Sequence, residues 1–145
     1  MKYSYLFFII LTLISCNYNS TYSNRESDKN EAEKIPKKFY WEIQYGNSEE
    51  ETFKLFSEKF FEVTDKNKLR EIIALSNSQF GAIKEYNLGN WETFVVKGSN
   101  PKSEYVLIYD VIRENTKTQE KFSMVKENGV IKIVGYNVNQ NLLDQ

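Results

Sequence analysis

Four regimes of hydrophobic and polar residues follow one another along the chain. Leu6 to Ile14, "LFFIILTLI", is a nine-residue apolar run. It is too short to cross a bilayer, which takes roughly 20 apolar residues. It fits the apolar heart of a secretory signal peptide, with Lys2 and the amino terminus as the positive start. Asn17 to Lys34 is the opposite case: two tyrosines are almost its only apolar surface. Such a segment buries too little to offset its ordering entropy. It is expected to be a flexible tether, spanning on the order of 25 Å as a random coil.

The third regime has a helical period. Ser48-Glu49-Glu50-Glu51 has the form of a capping box, and acids in a first turn suit the positive end of the helix dipole. Phe53, Phe56, Phe60, Val63 and Thr64 then fall on one helical face, with Phe61 at its edge and Lys54, Glu58 and Glu62 opposite. A second helix is expected from Thr64 or Asp65, with Leu69, Ile72, Ile73 and Leu75 as its apolar stripe. It stops in "SNSQFG", where Gly81 frees the backbone. Upstream, "FYWEIQY" (Phe39 to Tyr45) fits either a strand or a helix start.

The fourth regime alternates with period two. "WETFVVKG" from Trp91 reads as a strand. "SEYVLIYDVIREN" carries Tyr105, Leu107, Tyr109 and Val111 on one face and Val106, Ile108 and Ile112 on the other. Apolar residues on both faces suggest a central strand covered at least partly on each side. "KTQEKFSMVKEN" and "VIKIVGYNV" flank Asn128-Gly129, a strong hairpin signal. Helices first and an antiparallel meander afterwards make an α+β domain. The expectation is two N-terminal helices on a four-stranded sheet, in a single domain over 35–145.

Composition adds the compartment. The 145-residue chain has 19 Lys+Arg against 20 Asp+Glu, a net charge of −1, with the signs interspersed. Without a basic face, nucleic acid is a poor partner. Hydrophobic residues at 41% and aromatics at 15% suffice for one core. Cys16 is the sole cysteine, so no intrachain disulfide is available. Leu13-Ile14-Ser15-Cys16 resembles the lipobox of bacterial lipoproteins. The small Ser15 admits a peptidase, the Cys16 thiol accepts a diacylglyceryl group, and cleavage frees an amine for a further acyl chain. The resemblance implies a signal peptide over 1–15, a fatty-acylated Cys16 as membrane anchor, and a tether over 16–34. Two or more acyl chains anchor stably. No acidic run follows Cys16, which favours the periplasmic side of the bacterial envelope over the cell surface. The "NST" sequon at Asn19 belongs to another secretory system and is discounted.

The C-terminal half also resembles a family. Tyr105 and Tyr109 in a long strand, Glu120 leading the next, the Asn128-Gly129 turn and Gly135-Tyr136 are similar to the last strands of cystatin-like, nuclear transport factor 2-like domains. Among these, the small secreted bacterial domains of unknown function match best. Ile131 or Ile133 stands where that family commonly has a tryptophan, and "SQFGAIKEYNL" resembles its helix-to-sheet link. The resemblance implies a cone, with a curved sheet wrapping a long helix and a pocket at its open end. Some members of the superfamily are isomerases or dehydratases.

Little in the chain carries such chemistry. There is no histidine, the usual neutral-pH base. Asp110 alternates away from Tyr105 and Tyr109, and is expected to be a solvated or cross-strand charge near Arg113, Glu120 or Lys132. No Ser or Cys nucleophile has a histidine partner, no glycine-rich phosphate loop is present, and carboxylates are scattered, so neither a metal nor a cofactor is expected. Helix capping accounts for Glu49 to Glu51 better than a cation site does. Tyr105, Tyr109, Phe122, Met124 and Tyr136 either line a pocket for a small apolar ligand or pack the core against the phenylalanine stripe, and core packing is the preferred reading. The functional expectation is a non-catalytic lipid-anchored envelope protein. It would bind a protein partner or a second copy through the sheet, or a small apolar ligand. The alternatives are an isomerase- or hydrolase-type enzyme on the same scaffold, and an envelope inhibitor or immunity-type protein.

Overall fold

The computed structural model describes residues 19–140. The signal-peptide stretch and Cys16 lie outside the described residues. Period-two alternation governs the second half. β2 (Ile83–Lys97), β3 (Lys102–Arg113), β4 (Lys117–Glu127) and β5 (Val130–Gln140) form an antiparallel meander. Asn128 and Gly129 take φ of 50° and 82°, so both central residues of the last hairpin are left-handed, as a type I′ turn requires. The register sets Tyr105 opposite Met124, Leu107 opposite Phe122 and Tyr109 opposite Glu120, and then Phe122 opposite Tyr136. One face of the sheet thereby carries the core. The other face leaves Phe94 at 40% and Ile112 at 39% exposure. The inner face of β3 is fully covered, while on its outer face Val106 and Ile108 are half-buried and Ile112 is exposed.

Expectation and structure part at the sheet's first edge. The sheet has five strands in sequential order, because Ser20–Ser23, here β1, pairs antiparallel with the end of β2 from Ser20–Lys97 to Ser23–Phe94. It is followed by α1 (Glu26–Ala32). The tether expected up to Lys34 is therefore corrected from Ser20 onward, and the folded part begins well before Ile35. A bare strand edge offers unpaired amides and carbonyls. A short polar strand can satisfy them while its outer edge faces water. Ala32 is fully buried, Arg25 pairs with Asp28 at 2.6 Å, and the same guanidinium lies 3.9 Å from the centre of the Tyr22 ring.

Among the described residues five helices, not two, precede β2. α2 (Lys34–Tyr45) settles the ambiguous "FYWEIQY" as helix. Its Pro36, Phe39, Tyr40 and Ile43 recur at helical spacing, and Phe39 and Tyr40 are wholly buried. The single helix expected from Ser48 is broken into α3 (Glu49–Phe53) and α4 (Glu58–Val63). Between them Phe56 forms a one-residue parallel bridge to Ile133, whose N–H donates to the Leu55 carbonyl at 2.9 Å. The Ile133 carbonyl accepts from Ser57 N–H at 2.9 Å, and the Ser57 hydroxyl caps α4 by accepting from Phe60 N–H. Phe53, Phe56 and Phe60 are buried as expected, but Val63 is 89% exposed. Ser48 accepts from Glu50 N–H, and Glu51 turns to Lys54 rather than back to the cap. α5 (Lys66–Phe80) is capped by Asp65 and ends at Gly81 with φ 81°.

β2 starts eight residues earlier than Trp91. A register shift between Leu88 and Asn90 interrupts its alternation and hides the first half from a period-two pattern. Gly89 matters here for space: a Cβ would lie 2.5 Å from Asp110 Oδ2.

Candidate functional site

The five residues expected to line a pocket are brought together on the inner face, and all are buried. Tyr105, Tyr109, Phe122, Met124 and Tyr136 are at most 8% exposed. What stands over them is α2. Phe39 packs 5.4 Å from Phe122 and 4.9 Å from Tyr136, centre to centre, and Tyr40 packs 5.5 Å from Tyr109. Phe56 joins from the helix break, 5.9 Å from Phe39. Aromatic edges and faces fill the space a ligand would need.

Three phenols in this interior behave differently. Tyr136 donates to Glu120 Oε2 at 2.7 Å, whereas the buried hydroxyls of Tyr40 and Tyr109 have no partner. Burial first, and the nearby Glu120 carboxylate second, push Tyr40 and Tyr136 far above the ordinary tyrosine range. Burial also raises Tyr109, with Glu33 adding to it. All three stay neutral at physiological pH.

The inner face carries one charged cluster that the pattern reading passed over. Arg113 ends β3 four residues after Tyr109, and Glu120 sits two before Phe122, so alternation turns both inward. Arg113 Nη2 lies 2.6 Å and Nε 3.1 Å from Glu120 Oε1. Its Nη1 donates to Asn77 Oδ1 and to the Gly81 carbonyl, both at 3.1 Å. Thr118 lies within 3.4 Å of the same carboxylate oxygen. Both oxygens of Glu120 thus hold donors. The arrangement ties the end of α5 to the sheet. Period two could have found this pair, since the same alternation identified Tyr109 and Phe122.

Asp110 faces outward, as alternation requires, and accepts from Gln119 Nε2 at 3.3 Å. It is away from Tyr105 and Tyr109, but its neighbours are Gln119 and Gly89 rather than Arg113, Glu120 or Lys132. Glu49 pairs with Arg70 at 2.6 Å, and Glu51 with Lys54 at 2.6 Å. Among the described residues no group of three or more acidic, cysteine or histidine side chains is placed to hold a metal ion. No helix among them is long and apolar enough to cross a membrane.

Two open surfaces among the described residues bear on function. The outer sheet face presents Phe94, Val96, Val106, Ile108 and Val125 among Glu92, Glu104, Asp110 and Lys121. Cross-strand ladders organise it: Glu92–Val106–Ser123–Gly135 and Asn90–Ile108–Lys121–Asn137. The second surface is a cleft of about 420 Å³ where α2 ends against α3 and α5. Ile43, Phe53, Ile73 and Ala74 give it apolar walls, while Glu42, Thr52 and Asn77 are polar. None of the five expected pocket residues lines it. No family model matches this chain, and neither a curated protein nor a solved structure is significantly similar to it.

Proposed function

We propose that the chain is a non-catalytic, lipid-anchored protein of the bacterial envelope, which binds a protein partner through the outer face of its sheet. The supporting observation is that Phe39 and Tyr40 close the interior over Tyr109 and Phe122, while the opposite face keeps Phe94 and Ile112 in water. An interior packed with these rings favours surface recognition over a small apolar ligand held between α2 and the sheet. An apolar and charged open face is what a partner covers. Glu120 is wholly buried, and its oxygens are held by Arg113, Thr118 and Tyr136, which fits a structural role for this carboxylate better than that of a general acid or base. In this reading the domain is a member of the cystatin-like, nuclear transport factor 2-like class whose cone is plugged by its own helix.

The early start of β1 changes how the anchor acts. With Cys16 acylated, only Asn17 to Asn19 separate the lipid from Ser20. Three extended residues reach about 10 Å. The domain therefore rides at the headgroup surface, on the periplasmic side, and meets partners in the same plane.

The test is a photo-reactive residue at position 108, irradiated in cells that express the full chain. A discrete adduct, either a doubled chain or one chain plus a partner, supports the reading. A ladder no different from that of a probe at exposed Lys84 counts against it.

A further inference from the structure

The cleft between α2, α3 and α5 contains a charge that nothing in the fold accounts for. Glu42 is only 9% exposed and lines the cleft, yet its carboxylate makes no hydrogen bond or ion pair with any described residue. It stands in the last turn of α2, where the helix dipole disfavours an anion. The carboxylate oxygens reach the cleft surface, so the fold leaves this anion without a counter-ion at the cleft wall. The other charged groups on the cleft are already matched, since Arg70 Nε holds Glu49 at 2.6 Å and Arg70 Nη1 donates to Asn67 at 2.6 Å.

The surroundings are shaped around that carboxylate. Gly46 has an ordinary φ of −68°, so its glycine is not needed for a left-handed turn. A Cβ there would lie 2.5 Å from Glu42 Oε2 and would also strike the Glu42 carbonyl oxygen. Glycine is what lets the chain leave α2 across the carboxylate. Thr52, 5% exposed, adds a hydroxyl to the lining, and Ile43, Phe53, Ile73 and Ala74 supply an apolar wall. A volume of about 420 Å³ is within the ordinary range for small-ligand sites.

We infer that this cleft binds a primary ammonium group carried on a short apolar chain, with Glu42 as its counter-ion. An ammonium completes the unpaired charge, and its methylenes lie on the apolar wall as a lysine stem does. The chemistry is shared by a free alkylamine and by a lysine side chain of a bound polypeptide. The site is independent of the outer sheet face, so either can fail without the other.

The experiment titrates the full chain, in detergent micelles, with butylammonium, with Nα-acetyl-lysine amide and with 1-butanol, and follows backbone amide shifts. Both ammonium probes are expected to give saturable shifts at Gly46, Thr52 and Ala74. Glu42→Gln, which keeps the shape, weakens them at least tenfold. Ala74→Phe, at an exposed position on the cleft wall, abolishes them without removing the carboxylate. Tighter binding of the lysine amide identifies a polypeptide source, and tighter binding of butylammonium a free amine. Either order upholds the site. No saturable shift with either ammonium, butanol binding as well as butylammonium, or undiminished binding to Glu42→Gln overturns it.

Discussion

The guanidinium of Arg113 meets the carboxylate of Glu120 at 2.6 Å with 1% and 0% of their side-chain surfaces exposed. A pair so buried contributes little net stability over an apolar replacement, but either member is costly once the other is gone. Glu120→Ala leaves Arg113 unpaired and is expected to cost about 3–5 kcal/mol in urea unfolding. The Arg113→Met, Glu120→Leu double variant is expected to recover much of that loss. A double variant as unstable as the sum of its singles contradicts the assignment.

Tyrosine burial fixes the alkaline limit. Tyr40, Tyr109 and Tyr136 all titrate above the ordinary value near 10, because burial disfavours the phenolate. Above that pH the unfolded chain has lost phenolic protons that the folded chain retains. Their contribution is therefore complete below about pH 10 and declines as pH rises toward the raised folded values, by about 1.4 kcal/mol per pH unit for each tyrosine. Denaturant midpoints measured between pH 9 and 11.5 should fall, and Tyr109→Phe should make the fall shallower. An unchanged slope in that variant counts against Tyr109 as a contributor.

The break between α3 and α4 is tested by two substitutions that a continuous helix would treat alike. Phe56 is 4% exposed at the bridge to Ile133, whereas Val63 is 89% exposed. Phe56→Ala should cost about 3–5 kcal/mol. Val63→Ala should change stability by less than about 0.5 kcal/mol. Comparable losses for the two would restore the unbroken helix.

β1 and α1 are predicted to be structural. A chain that begins at Ile35 exposes the β2 edge from Phe94 to Lys97 and loses Ala32, Tyr22 and the Lys126–Glu31 pair at 2.6 Å. Its melting temperature should lie several degrees or more below that of a chain beginning at Asn17, and it should aggregate more readily through the bare edge. Identical melting curves would return this segment to a tether.

These differences show what the sequence reveals and what it hides. β3, β4, β5 and their turn are legible because alternation is strong and Asn128-Gly129 fits one turn type. The inward grouping of Tyr105, Tyr109, Phe122, Met124 and Tyr136 follows from the same period. β1 is not legible, since "STYS" has no apolar alternation and its partner lies more than seventy residues away. The plug is hidden for a related reason: Phe39 and Tyr40 are adjacent, and seven residues cannot separate a helix from a strand. The α3–α4 break depends on Ile133, far along the chain, pairing with Leu55 and Ser57. Glu42 could not be singled out, because its importance lies in lacking a partner.

Native mass spectrometry of the protein extracted from its own membranes tests the central claim most directly. The account predicts a chain that begins at Cys16 with acyl mass attached, held in a complex that Ile108→Lys on the outer sheet face dissociates. A chain that retains Met1 without acyl mass, and stays a lone monomer whether or not position 108 is changed, would contradict it.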